Sequence, residues 1–191
     1  MPRKPSHDDL RDRTLRAAED VVRERGHAAL NARSLAAEAG CSVGTLYNVF
    51  GDLDGVVYAL NLRTAKALRR ALTQAVEGTE DDPRTRLSAL ADAYFDFAQD
   101  HPREWEALFR FRPKGTVDGT VGREGEALFA LLKDSVGGTV SDDALLALWA
   151  AVHGVVELAA QQHLIYYASG SERRYLRLIL DAALNGLKGS E

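Results

Sequence analysis

Cysteine is nearly missing from this chain: Cys41 is the only one in 191 residues. A lone thiol excludes an internal disulfide and suits a cytoplasmic setting. The five histidines, His7, His27, His101, His153 and His163, are dispersed, and the last two stand ten residues apart. That is off the four-residue step that places two zinc ligands on one helix face. No Gly-rich phosphate loop, no G-x-S-x-G elbow and no paired nucleophile and base appear, so neither an enzyme nor a metal or other cofactor is expected. For Cys41 a packing role in a tight turn outweighs a redox role. No apolar run approaches the roughly 20 residues of a membrane helix. The N-terminal MPRKPSHDD lacks the apolar core of a secretory signal, and no membrane partner is expected. There is also no β pattern of any length and no internal repeat.

What is present is helix. Hydrophobic content of 46% is ample for a core, and the length fits one or two domains. Leu10, Thr14, Ala17, Ala18, Val21 and Val22 form the inner stripe of a first helix that ends at Gly26. A fourth helix is expected over 53–76, apolar at Val56, Leu60, Ala67, Leu68 and Leu72, and able to bridge two halves. GTEDDP is a break, with Pro83 opening the next helix. Leu87, Leu90, Ala91, Tyr94 and Phe97 follow as a stripe, and a short helix carries Trp105, Leu108, Phe109 and Phe111. Residues 113–125 hold four glycines and a proline and read as a mobile loop. Helices over about 124–135, 142–167 and 172–187 complete an all-α chain of about nine helices.

The most informative segment is NARSLAAEAGCSVGTLYNVF, residues 31–50. Asn31 can cap a helix in which Leu35, Ala36 and Ala39 form one narrow apolar stripe. Gly40 supplies a left-handed stop. Ser42 caps a second helix whose inner side is Val43, Leu46, Val49 and Phe50. Its other side carries Ser42, Gly44, Thr45, Tyr47 and Asn48. Small residues let such a helix come close to bases. Thr45 offers a hydroxyl and a methyl to base edges, while Tyr47 and Asn48 reach phosphate. No acidic residue falls between Glu38 and Asp52. The net charge of −4 is unevenly spread. Residues 1–50 hold 8 Lys/Arg against 7 Asp/Glu, and residues 51–191 hold 16 against 21. A basic arm with Arg3 and Lys4 precedes the first helix.

The run RSLAAEAGCSVGTLYNVFGDLDGVVYAL resembles the N-terminal domain of the tetracycline-repressor (TetR) family of bacterial transcription regulators. The specific element is A-x-x-A-G-x-S-x-G-T-x-Y-x-x-F, and the match extends over roughly residues 8–62. The resemblance implies that Arg33 contacts phosphate or a base edge. It places Ser42, Val43, Gly44, Thr45, Tyr47 and Asn48 in or beside the major groove of double-stranded DNA. There is one departure. A lysine that commonly grips phosphate at the start of the next helix is here Leu53, flanked by Asp52 and Asp54. Weaker non-specific binding and a shallower salt slope than in a lysine-bearing relative are expected.

The helix beginning at Asp142 is apolar nearly all round, from Leu145 to Ala160. With the last helix it exceeds what one copy can bury, so a homodimer through a four-helix bundle is expected. The candidate interface is Gly154, Leu158, Gln161, Tyr175, Leu176, Ile179 and Ala183. Trp149, His153 and Gly154 resemble the W-x-x-x-H-G signature of one C-terminal subgroup of the family, over about residues 84–187. That implies a regulatory, ligand-binding half without naming a ligand. Tyr94, Phe97, Trp105, Phe109, Phe129, Trp149, His153 and Glu157 are the candidate ligand pocket. For each aromatic, and for His153, a place in the core or at an interface is the alternative.

The expected organisation is thus a helix-turn-helix DNA-binding domain over 1–52. A helical regulatory, ligand-binding and dimerisation domain follows over 53–191. The function expected is a cytoplasmic regulator, in the sense of a repressor, that binds a palindromic operator as a homodimer under an unidentified small-molecule effector. A ligand-binding helical dimer whose DNA head is weak or vestigial is the alternative, supported by Leu53 and its neighbouring acids.

Overall fold

A computed structural model describes residues 6–114, 119–137, 140–164 and 170–188. All-α architecture holds throughout them. The helices are α1 (His7–Arg25), α2 (Ala32–Ala39), α3 (Val43–Phe50), α4 (Leu53–Val76), α5 (Pro83–Asp100), α6 (Pro102–Arg110), α7 (Thr120–Ser135), α8 (Asp142–Ala160) and α9 (Glu172–Lys188), with a 3-10 turn at His27–Ala29. The expected arm at Arg3 and Lys4, the middle of the expected 113–125 loop, Gly138 and the stretch 165–167 lie outside the described residues.

The chain divides into two compact units. The first comprises Met1–Lys66 and His101–Glu124, the second Ala67–Asp100 and Gly125–Glu191. The expected boundary after residue 52 therefore falls inside the first unit, and α4 contributes residues to both.

In the first unit, a capping box opens α1. The Ser6 hydroxyl accepts the Asp9 amide at 3.1 Å, and the Asp9 carboxylate accepts the Ser6 amide at 3.2 Å. Those bonds hold the Asp9 carboxyl below its ordinary pKa. α1 buries the expected stripe and adds Leu15. Asn31 caps α2 by accepting the amides of Arg33 and Ser34 at 2.9 and 3.3 Å. Gly40 ends it at φ 67, the left-handed conformation glycine adopts at little cost. Leu15, Ala18, Val22, Leu35, Ala36, Leu46, Val56 and Leu60 meet in one core. Arg63 of α4 adds ion pairs to Asp12 and Glu19 of α1, at 2.5 and 3.0 Å.

α6 also belongs to this unit. Trp105 is 1% exposed, Glu104 pairs with Arg23 at 3.5 Å, and Phe111 meets the His27 ring edge-on at 6.0 Å. The buried Asn61 amide donates to the Ala107 carbonyl at 3.0 Å. Two further bonds run from α4 to the chain after α6. The Lys114 amide donates to Asp54 at 3.0 Å, and the Val121 amide donates to the Tyr58 hydroxyl at 3.2 Å.

In the second unit, α5, α8 and α9 pack pairwise. Leu87, Leu90, Ala91, Tyr94 and Phe97 of α5, Leu145, Leu148, Val152 and Val156 of α8, and Leu176, Leu180 and Leu184 of α9 are buried. Arg173 on α9 bridges Asp92, at 2.6 Å, and Asp96 on α5, and Arg84 pairs with Asp181.

Two boundaries and one property of α8 differ from expectation. The helix expected near 124 begins at Thr120, so part of the predicted loop is helical. Gly122 and Gly125 weaken that turn. The Tyr58 hydroxyl compensates by accepting one of the amides a helix start leaves unpaired. α8 ends at Ala160 rather than near 167, because Gln162 turns to φ 58, a left-handed value that stops a helix. Finally, α8 is by length and composition alone apolar enough to cross a membrane, although its polar residues interrupt any continuous apolar run. It carries His153 in its interior and Glu157 in its last turn.

Candidate nucleic-acid interface and regulatory cluster

α3 is built to show one side. Leu46 is fully buried, Val43 and Phe50 are half-buried against the same core, and Val49 is half-buried. The opposite side leaves Ser42, Gly44, Thr45, Tyr47 and Asn48 exposed, Tyr47 to 39%. The Ser42 hydroxyl accepts the Thr45 amide at 3.1 Å and bonds the Thr45 hydroxyl at 2.8 Å. Both side chains are thereby oriented before any partner arrives, which lowers the entropy cost of using them. Arg33 is exposed on the first turn of α2, with no acidic partner among the described residues. Arg11 lies over the Phe50 ring at 5.0 Å, bracing the far end of α3. Cys41 is half-buried against the same core.

The acids beside this surface are occupied. The Asp52 carboxylate accepts the Gly55 amide at 2.8 Å, and Asp54 accepts the Lys114 amide. Gly55 itself has a reason that sequence inspection missed. The Phe50 carbonyl oxygen lies 1.8 Å from where a Cβ would stand, so only glycine lets the end of α3 sit against the first turn of α4. The adjacent signal was the pair of glycines in GDLDG.

The second unit brings together part of the expected pocket set. The Tyr94 hydroxyl bonds His153 Nδ1 at 3.0 Å, the Trp149 ring stacks on His153 at 5.0 Å, and Gln161 donates to Glu157. Burial pushes the His153 imidazole below its usual pKa, opposed by the Glu157 charge, and burial pushes the Tyr94 phenol well above its own. Phe97 is buried on α5 and Phe129 half-buried on α7. Trp105 and Phe109 belong to the first unit, where their rings pack at 4.5 Å.

The rest of α8 is unfinished. Leu146, Trp149 and Leu158 are 53%, 38% and 43% exposed, and Leu178 on α9 is 55% exposed. Gly154 faces open space. Tyr175, Ile179 and Ala183 are half-buried, but Leu176 is 1% exposed and belongs to the unit's own core. Leu178, two residues on and so on the other side of the helix, is the exposed residue there; apolarity alone does not distinguish the two.

The chain matches the family described as "Tetracyclin repressor-like, C-terminal domain" over residues 87–183, just over half of its length. It matches "Bacterial regulatory proteins, tetR family" over residues 15–60. The chain belongs to the TetR family. Among its TetR-type relatives it is similar to the HTH-type transcriptional regulator BetI of Stenotrophomonas maltophilia, 32% identical over 99 residues, covering 52% of this chain and 50% of the relative. It is 31% identical over 102 residues to the HTH-type transcriptional activator FasR of Mycolicibacterium smegmatis, covering 53% and 46%. The chain thus spans about half the length of the curated relatives it matches. A solved protein of unknown function from Rhodococcus sp. RHA1 superposes with TM-score 0.78 at 27% identity, covering 97% of both chains. A TetR-family transcriptional regulator from Streptomyces coelicolor shares the fold, with TM-score 0.69, 21% identity and coverage of 93% and 99%.

Proposed function

We propose that this TetR-family chain is a sequence-specific DNA-binding transcription regulator that acts as a homodimer. The observation that carries the reading is the exposed side of α3. Four hydroxyl, amide or phenol side chains and Gly44 stand outward on a capped helix whose other side is anchored in a core. Thr45 takes the base-edge role, and Arg33, Tyr47 and Asn48 take phosphate or base contacts. Two copies would set their α3 helices in major grooves about one helical turn apart, or a multiple of it, on a palindromic operator.

The exposed apolar side of α8 and α9 supports pairing. Leu146, Leu158 and Leu178, with the open Gly154, form a surface on which a second copy's helices can pack closely. A small-molecule effector is assigned to the second unit, around Tyr94, Trp149, His153 and Glu157. It would act through its differential affinity for DNA-competent and incompetent states. Repression is the sense expected, because a bound dimer blocks polymerase by occupancy alone. A cytoplasmic location and the absence of catalysis are parts of the same proposal.

The test is binding of the purified protein to DNA from around its own gene, with scrambled competitor. Tight binding to one palindromic site, weakened at least tenfold by Thr45→Ala, is expected. Equal affinity for scrambled DNA would count against sequence-specific regulation.

A further inference from the structure

The first unit contains a basic segment that the DNA-binding surface described above does not include. Residues 110–114, RFRPK, carry Arg110, Arg112 and Lys114, and they belong to the same compact unit as α3. Their placement is fixed by side chains of α4. Asn61 holds the Ala107 carbonyl, and Asp54 holds the Lys114 amide. Chain that leaves α6 beside Asn61 therefore travels along α4 to its first turn, two turns nearer the helix start.

Two of the three cations are used locally. Arg112 donates to the carbonyls of Phe109 and Phe111 at 2.8 and 3.0 Å, closing the end of α6. Arg110 stands 3.9 Å from Glu106. Lys114 is exposed, and its ammonium has no ion pair or hydrogen bond among the described residues. Asp54 has a carboxylate oxygen engaged by the Lys114 backbone amide.

The position matters because of where α3 ends. Eight helical residues span about 12 Å, close to the width of the B-DNA major groove. A helix of that length seated across the groove brings its far end against a phosphate row. The Phe50 carbonyl abuts Gly55, so the first turn of α4 stands at that end. That turn carries Leu53 between two aspartates and has no cation of its own. We propose that Lys114 supplies the cation there, as a phosphate-contacting residue of the DNA interface. The contact comes from the chain after α6, some sixty residues beyond the helix it serves.

This rests on the DNA-binding reading, and the experiment separates the two. Wild-type protein, Lys114→Gln, Lys114→Arg and the double variant Lys114→Gln with Leu53→Lys are titrated with a mixed-sequence 30-base-pair duplex between about 0.05 and 0.3 M salt. A phosphate contact predicts that Lys114→Gln lowers the salt slope by about 0.9 and weakens binding about eightfold at 0.1 M. Lys114→Arg restores the slope, and Leu53→Lys restores it from the neighbouring position. An unchanged slope in Lys114→Gln overturns the proposal while leaving DNA binding intact. A lost slope that Leu53→Lys does not recover overturns it as well, since the effect then lies elsewhere than at the start of α4. A wild-type protein that binds no duplex at any salt removes the DNA-binding reading and the proposal together.

Discussion

The first unit buries what is apolar on α3 and leaves its small and polar residues outside; the second leaves leucines in water. Leu46 on α3 is fully buried. Leu146 on α8 is 53% exposed, although its neighbour Leu145 is fully buried. Charge follows the same division. The first unit carries 15 Lys/Arg against 13 Asp/Glu, the second 9 against 15. Each unit lacks something different. The first is complete as a packed body and short of a polyanion. The second is short of apolar cover, which a second copy of itself would supply under the proposed pairing.

The comparison breaks most sharply at Leu46 and Leu146. Leu46→Ala should cost about 2–5 kcal/mol of stability, read from denaturant midpoints, because nothing can fill the space. Leu146→Glu should leave the helical signal intact. Through a desolvated carboxylate it should weaken dimer formation by about 2 kcal/mol, roughly thirtyfold, in sedimentation. A Leu146→Glu protein that dimerises as before would move the pairing surface away from α8. Next comes Gly55→Ala, expected to cost about 1–3 kcal/mol and to reduce DNA affinity, since a backbone oxygen occupies the methyl position. Full stability and full DNA affinity in that variant would mean that α3 does not need this seat. Asn31→Ala removes the cap of α2 and should cost about 1 kcal/mol in thermal or chemical unfolding.

The smallest effect is that of pH. His153 is held below its unfolded pKa of about 6.5 by burial. Below that pH the unfolded chain takes up a proton that the folded imidazole resists. Stability is lost as pH falls, until the folded imidazole titrates too. Denaturant midpoints at pH 7.5 and 5.5 should therefore draw closer in His153→Gln than in wild type. An equal pH dependence in both would place the acid sensitivity at other groups.

Much of the first unit was legible because its signals are local. Asn31, Gly40 and Ser42 each act on backbone within three residues, and the stripe of α1 follows the helical repeat. α4 was legible from end to end for the same reason. What was hidden depends on contacts far apart in sequence. The start of α7 at Thr120 relies on the Tyr58 hydroxyl, and α6 joins the first unit through Asn61 and Arg23. The candidate site divides in the same way. The outward residues of α3 follow from the placement of Leu46 alone. Whether Leu176 or Leu178 meets solvent depends on the rotation of α9 against α5 and α8, and both are leucine. Trp105 and Phe109 looked equivalent to Tyr94 and Phe97, yet they stand in different units.

The central claim is that the exposed side of α3 reads DNA sequence. The most direct measurement is selection of duplexes from a random pool by the wild-type chain and by a Thr45→Ala, Asn48→Ala variant, with helical content checked on both. The account predicts that wild type enriches a palindromic sequence and that the variant, equally folded, does not. Enrichment of no sequence by wild type, or of the same sequence by the variant, would contradict it.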